Sequence, residues 1–102
     1  MDRVVRDGKV AVLYSPKYGA GWYSWNRDRI EILFDPAIVQ LVIEEKFDEL
    51  ETFVELKYPE ICKLGMMDLE VQWIPEGTLF KVVEYDGAES IEYKEDNEWI
   101  VA

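Results

Sequence analysis

LEVQWIPEGTLFKVVEYDGAESIEY, residues 69–93, alternates apolar with polar side chains at the period of two that is typical of β-strands. Two turn signals interrupt it, Pro75-Glu76-Gly77 and Asp86-Gly87. The pattern predicts strands over residues 69–73, 79–85 and 90–93, and a last strand over residues 99–101. Because consecutive strands joined by such short turns are antiparallel, this stretch predicts an antiparallel meander.

The segment before this sheet, residues 35–58, has the signals of helices. Asp35-Pro36 is a helix start, with Asp as the N-cap and Pro preset for the first helical position. Asp48 with Glu51 is a second capping pair, so we expect the chain to break near Lys46 and to form two short helices rather than one long one. Apolar side chains form one stripe at helical spacing, at Ile43, Phe47, Leu50 and Val54.

The N-terminal third adds further strands. Residues 9–14, KVAVLY, are rich in β-branched and aromatic side chains and follow Asp7-Gly8, a strong turn dipeptide. They predict a strand that pairs with Val4 and Val5 in a hairpin or forms a bulged strand with them. A short apolar run over residues 30–34 predicts another strand. No linker divides the chain, so we predict a single α+β domain over residues 1–102, with an antiparallel meander sheet of about four or five strands packed against one or two helices.

The composition excludes several classes of function. The chain has 102 residues, a formal net charge of −11, no histidine and one cysteine, Cys62. Without histidine, Ser-His-Asp catalysis, Cys-His catalysis and His-ligated zinc are excluded. The acidic balance argues against direct binding of nucleic acid, whose affinity comes mainly from Lys and Arg. The charged residues 1–9 contain no secretory signal, and no apolar run is long enough to span a bilayer, so we expect a cytoplasmic protein with no membrane partner.

The loop over residues 15–26, SPKYGAGWYSWN, is the main candidate for a ligand site. The glycines of this loop let a ligand approach the main chain, and its aromatic rings offer faces for stacking. The side-chain amide of Asn26 and the cations that flank the loop offer polar contacts. The alternative is that Trp22 and Trp25 plug the sheet and that the glycines form a turn. The candidate ligand-binding residues are Lys17, Gly19, Gly21, Trp22, Tyr23, Trp25, Asn26, Arg27 and Arg29.

The charge is distributed unevenly along the chain. Residues 1–29 contain six basic and three acidic side chains, a net charge of +3, whereas residues 30–102 have a net charge of −14. Such an asymmetry is an interaction signal, and it leaves one short region in which an anion can bind. The alternative is that basic and acidic strands pair with each other and partly cancel.

Two groups of carboxylates are further candidates. If their segment is helical, Glu44, Asp48, Glu51 and Glu55 form a row on one face that can imitate DNA phosphates, or that is a solvated helix face. Another group, Asp86, Glu89 and Glu92, offers oxygen ligands for Mg²⁺ or Ca²⁺, or an acid/base pair. Clusters arise by chance in a chain with 22 acidic residues. We therefore favour a hairpin turn followed by an exposed strand at the second group, and we assign no metal ligand or catalytic residue.

Three segments together carry a resemblance: GAGWYSWN at residues 19–26, FDP at residues 34–36, and WIPEGTLF followed by EYDGAESIEY within residues 73–93. The chain resembles a family of small, largely uncharacterised proteins of bacteriophages and bacteria, which share a GAGWxxWN-type loop and a WxPxGTxFxxxEYDGxExI-type tail. The resemblance covers most of the chain and carries over no activity. It implies a small cytoplasmic protein, often from a mobile genetic element, and by analogy one that binds and blocks.

These observations lead to three hypotheses. The first is a non-catalytic binding protein, without a cofactor, that captures a nucleotide-like or other anionic small molecule through the loop, for instance in phage counter-defence. The second is an acidic inhibitor or adaptor that binds a basic host protein through the carboxylate-rich helices. The third, an enzyme with paired carboxylates, has the least support. A homo-oligomer is compatible with each, because a meander leaves sheet edges to cover.

Overall fold

The computed structural model describes residues 2–93 and 100–102. Its strands are β1 (Val5–Arg6), β2 (Lys9–Tyr14), β3 (Glu70–Pro75), β4 (Leu79–Tyr85), β5 (Ala88–Tyr93) and β6 (Ile100–Val101). Its helices are α1 (Pro36–Ile43) and α2 (Phe47–Lys57), with short 3₁₀ helices over Tyr23–Trp25, Ile30–Leu33 and Met66–Asp68. The predicted α+β class, with antiparallel strands and two helices, is confirmed. Trp99, where the last strand is predicted to begin, lies outside the described residues.

The first sheet has the strand order β1–β2–β3 and is antiparallel. Asp7 and Gly8 have positive φ angles of 52° and 75°, which the favoured two-residue hairpin turn requires. The predicted hairpin is confirmed, with Val5 opposite Val10. β2 is the central strand, and every residue from Val10 to Leu13 is fully buried. The loop of residues 15–26 therefore starts at the end of a strand that is fixed in the core.

The second sheet has the order β5–β4–β6 and is also antiparallel. β3 and β4 are joined by a short turn and yet lie in different sheets. In this turn the N–H of Glu76 donates to the carbonyl of Gly8, and the N–H of Gly77 donates to the carbonyl of Ala102, both at 2.9 Å. The turn is therefore a corner that bonds to the β1–β2 turn of the first sheet and to the residue that follows β6 of the second. The strands of the predicted meander are divided between the two sheets. A turn signal specifies that the chain bends and leaves open which strands pair.

The helices begin and break where the sequence indicates. The Asp35 carboxylate caps α1 by accepting the N–H groups of Ala37 at 2.9 Å and Ile38 at 3.3 Å. Glu45 then adopts a φ angle of 57°, which ends the helical path before α2 begins. The prediction of two short helices is confirmed.

Two local predictions are wrong. Asp48 and Glu51 do not cap a helix, because α2 begins at Phe47 and both residues lie inside it. Residues 30–34 contain the 3₁₀ helix Ile30–Leu33 rather than a strand. A short continuous apolar run suits a buried strand or a buried helical turn equally well, and the packing of the chain decides between them.

The core joins both sheets to the candidate loop. Its largest fully buried side chains include Trp22, Phe34 and Phe80. The rings of Phe34 and Phe80 meet edge to face, with 6.3 Å between their centroids, so the segment before α1 packs directly against β4. Trp22 brings the loop of residues 15–26 into the same core. Within the described ranges, none of the helices combines the length and the apolar character needed to cross a membrane.

Candidate functional site

The loop of residues 15–26 is organised around one buried carboxylate, that of Glu89 on β5. This side chain is only 3% exposed. It accepts the backbone N–H groups of Ser15, Trp22 and Ser24, each at 2.8 Å, and the Ser24 hydroxyl at 2.7 Å. Hydrogen bonds from several donors stabilise a charged carboxylate strongly. The loop therefore binds an anion, and this anion is a side chain of the same chain.

Close packing of the main chain holds the loop against the β4–β5 hairpin. A Cβ atom on Gly21 would lie 2.1 Å from Oγ of Ser24 and 3.1 Å from Oε2 of Glu89. One on Gly87 would lie 2.4 Å from the backbone nitrogen of Ala20. Neither position has room for a side chain, which is the close approach that glycine permits.

Three of the predicted ligand-binding residues have contacts inside the protein. Trp22 is fully buried, and its Nε1–H donates to the carbonyl of Ile32 at 2.9 Å. Tyr23 is 9% exposed. The amide of Asn26 donates to the carbonyls of Trp22 and Cys62 and accepts the N–H of Cys62 at 2.8 Å. These side chains hold the loop to the core and to the segment after α2.

The predicted cations are directed to different parts of the surface. Their contacts are Lys17 with Asp68 at 3.6 Å, Arg29 with Glu31 at 2.7 Å and Glu60 at 3.6 Å, and Arg27 over the ring of Tyr23 at 5.8 Å. The hydrogen bond from Arg29 lowers the pKa of Glu31, so this pair is formed by charged groups. The positive charge of residues 1–29 is therefore not collected at the glycines of the loop.

The outer side of the loop carries exposed aromatic rings. Tyr18 is 73% exposed, Trp25 is 43% exposed, and Tyr85 on the neighbouring hairpin is 75% exposed. Tyr18 and Trp25 border a groove of about 530 Å³, which we call the aromatic groove. It is lined by Tyr18, Gly19, Trp25, Glu84, Asp86 and Gly87. The loop thus has an inner face that packs and an outer face that is open to a partner.

The floor of the aromatic groove is fixed by hydrogen bonds. The N–H of Gly19 donates to the carbonyl of Asp86 at 2.8 Å, and the N–H of Gly87 donates to Oε2 of Glu84 at 2.6 Å. At its rim, the ring of Tyr18 meets that of Tyr85 at 81°, with 6.4 Å between centroids. A partner would therefore meet a groove that is already formed, which lowers the entropic cost of binding.

The sequence analysis treats Asp86, Glu89 and Glu92 as one group that is either exposed or metal-binding. It does not predict that the side chain of Glu89 points into the protein. The expected exposed strand is wrong at Glu89, which is buried, whereas Asp86 and Glu92 are exposed. A signal was present, since Glu89 and the partly buried Ile91 are two residues apart and share one face of β5. Within residues 2–93 and 100–102, no group of three or more acidic or cysteine side chains is arranged to hold a metal ion.

A second polar cluster ties the two helices together. Oδ2 of Asp35 accepts Nζ–H of Lys57 at 2.8 Å and the hydroxyl of Tyr58 at 2.6 Å. Burial raises the pKa of Asp35, but the hydrogen bonds from Lys57 and Tyr58 outweigh it, and the pKa is lowered overall. The pKa of Tyr58 is raised far above its usual value. Burial is the larger cause, and the hydrogen bond to Asp35 is the second. The cluster joins the start of α1 to the end of α2.

The predicted row of helix carboxylates is split by the break between the helices. Glu44 follows the last residue of α1, where it pairs with Lys46 at 3.1 Å and accepts a hydrogen bond from Gln40. The other three carboxylates are exposed on α2, and they are Asp48, Glu51 and Glu55. A single four-residue row on one helix is therefore wrong, and a three-residue acidic face remains.

The fold and the loop define a small α+β protein, whose described part has two three-stranded antiparallel sheets and an anchored aromatic loop. Comparison of the chain with protein-family models, with curated proteins and with solved structures finds no match. Membership of the bacteriophage and bacterial family that the motifs resemble stays a prediction.

Proposed function

We propose that the protein is a non-catalytic binding protein, an acidic inhibitor or adaptor, that recognises a basic protein through its aromatic groove. The observation that supports this most is the pairing of exposed rings with carboxylates, since Tyr18 and Trp25 line the same groove as Glu84 and Asp86. Clustered exposed apolar side chains mark interaction surfaces. Cations bind to the faces of aromatic rings and to carboxylates.

The internal use of the loop's donors favours this proposal over capture of an anion by the same loop. The N–H groups of Trp22 and Ser24 already bind Glu89, so they are not available to an external anion. Of the residues that the structure describes, those that line the aromatic groove include two carboxylates and no basic side chain. The net charge of −11 also attracts basic partners over a long range and accelerates their association.

The test uses a defined basic probe, a labelled peptide of three Lys-Gly-Arg repeats, and measures its dissociation constant by fluorescence anisotropy. We expect Trp25→Ala to weaken binding about tenfold, because a desolvated cation–π contact contributes up to about 2 kcal/mol. The matched control is Leu56→Ala, which removes another exposed apolar side chain, on α2. It is expected to change the constant by less than about twofold.

Two results would contradict the proposal. If Trp25→Ala and Leu56→Ala both bind the peptide as tightly as the unchanged protein, the attraction is a general effect of net charge. If Glu51→Gln and Glu55→Gln weaken binding more than Trp25→Ala does, the contact lies on the acidic face of α2 rather than in the aromatic groove. Measurements at low and at moderate salt separate the long-range attraction, which salt screens, from the contact itself.

A second candidate function is capture of an anionic small molecule at another place on the loop. Arg27 and Lys81 line a depression of about 420 Å³ beside the ring of Tyr23, together with the carboxylate of Glu84. Two cations beside an aromatic ring suit a nucleotide-like ligand. The test is a thermal-shift screen with mono-, di- and cyclic nucleotides, in which a ligand raises the melting temperature of the unchanged protein and not that of Arg27→Ala. No shift at millimolar concentration would rule out this candidate.

A further inference from the structure

We infer that the aromatic groove is a receptor for the guanidinium group of an arginine side chain of the basic partner. This inference rests on the proposed function and names the chemical group that the groove takes. Three features of the groove support it. The groove contains aromatic rings and two carboxylates, and hydrogen bonds of Gly19 and Gly87 fix its backbone.

The aromatic rings favour a planar cation. A guanidinium is flat and weakly hydrated, so it stacks on an aromatic face with less loss of solvation than an ammonium group. Trp25 offers the largest ring of the groove, and Trp is the strongest partner in cation–π contacts. Tyr18 and Tyr85 meet edge to face, so their faces point in different directions at the rim.

The carboxylates favour a cation with several donors. Glu84 uses one oxygen to accept the N–H of Gly87, and a carboxylate has about four acceptor positions in total. Asp86 is exposed at the turn of the same hairpin. The five N–H donors of arginine can serve both carboxylates while the plane of the group lies on a ring, whereas lysine presents a single ammonium point.

Among the described residues, two basic side chains near the groove are directed to partners outside it. Lys17, the nearest basic residue in sequence, is directed to Asp68 at 3.6 Å rather than to the groove. Arg27 lies over the ring of Tyr23, in the neighbouring depression, which shares Glu84 with the groove. The volume of about 530 Å³ is within the range of pockets that hold small ligands, so a side chain and its flanking backbone fit.

The test compares three short peptides that differ at one central residue, which is arginine, lysine or the neutral isostere citrulline, with glycine on both sides. The readout is the indole N–H signal of Trp25 in ¹⁵N NMR spectra, assigned with Trp25→Phe. We expect the arginine peptide to shift this signal in a saturable manner. The lysine peptide should bind about tenfold more weakly, and the citrulline peptide should cause no shift.

The variant Asp86→Asn can be compared with a matched control, Asp7→Asn, in the turn between β1 and β2. Asp7 and Asp86 both precede glycine, both are exposed, and their φ angles are 52° and 55°. Asn tolerates this conformation, so both variants keep their turns. We expect Asp86→Asn to weaken binding of the arginine peptide about fivefold, since it removes a charge-assisted bond, and Asp7→Asn to leave it unchanged.

The outcomes separate this inference from the proposed function. If the lysine peptide shifts the Trp25 signal as strongly as the arginine peptide, the groove binds cations without selecting a guanidinium, and the inference is overturned while the proposed function stands. If the arginine peptide binds without shifting the Trp25 signal, the inference is also overturned. If the Lys-Gly-Arg probe is insensitive to Trp25→Ala as well, both fail.

Discussion

The carboxylate of Glu89 accepts the backbone N–H of Trp22 at 2.8 Å, although the two residues are 67 positions apart in the chain. This contact joins the GAGWYSWN segment to the EYDGAESIEY segment, the two motifs on which the family resemblance rests. Buried N–H groups and buried carboxylates both need partners, and here each supplies the other. The two motifs therefore have a common role in folding, and the aromatic groove forms on the outside of their contact.

Glu89→Ala should be strongly destabilising. The substitution removes the acceptor of four hydrogen bonds at a buried position, so we expect the free energy of unfolding to fall by more than about 3 kcal/mol. Glu92→Ala is the matched control, because Glu92 is exposed on the same strand, and it should change stability by less than about 0.5 kcal/mol. Urea denaturation measures both. Similar losses in the two variants would show that Glu89 does not hold the loop.

Small carboxylates should rescue Glu89→Ala. The variant keeps the N–H donors of Ser15, Trp22 and Ser24 around an empty position, which formate or acetate can enter. A ligand that binds the folded state raises the melting temperature. We therefore expect formate to stabilise the variant more than the unchanged protein, with chloride at equal ionic strength as the control. Equal effects of formate and chloride would contradict an anion-binding role for these donors.

Gly87→Ala and Gly77→Ala should differ in stability, although both glycines have similar φ angles. Their φ values are +89° and +88°, so an alanine at either position is strained by about 1–2 kcal/mol. A Cβ on Gly77 meets nothing within 4 Å, whereas one on Gly87 lies 2.4 Å from the backbone nitrogen of Ala20. Gly87→Ala should therefore lower the free energy of unfolding by about 1–3 kcal/mol more than Gly77→Ala does, as measured by urea denaturation. Equal losses would mean that the loop moves away at little cost.

Trp22→Ala and Trp25→Ala should separate the packing role of the loop from its surface role. Trp22 is fully buried, and its loss should cost about 3–5 kcal/mol of stability. Trp25 is 43% exposed, and its loss should cost less than about 1 kcal/mol. Thermal denaturation tests both values. A strong destabilisation by Trp25→Ala would mean that this ring is also part of the core.

The contribution of Tyr58 to the free energy of unfolding should decrease at alkaline pH. Burial and the bond to Asp35 raise the pKa of Tyr58 in the folded protein, whereas an unfolded tyrosine ionises near about pH 10. The contribution is therefore complete below about pH 10 and decreases as the pH rises above it. Tyr58→Phe should be less stable than the unchanged protein by about 1–2 kcal/mol at neutral pH. The difference should narrow as the pH rises above about 10, and a constant difference in urea denaturation would contradict this explanation.

The elements that the sequence predicts best are those whose signals are local. The alternation of β4, the β-branched run of β2 and the Asp35-Pro36 start of α1 need no distant partner to be recognised. The corner at Gly77 and the 3₁₀ helix Ile30–Leu33 were not predictable in this way. Strand pairing and the form of a short apolar run depend on which other segments cover them, and that is decided by packing.

By itself, the sequence determined the α+β class, the acidic charge, the absence of histidine chemistry and the position of the unusual loop. Only the tertiary structure decided that Trp22 is buried while Trp25, three positions later, faces the groove. It also decided which anion the loop binds. Main-chain N–H groups attract whichever carboxylate the fold brings within reach, and here this is Glu89, which a distant strand carries to the loop.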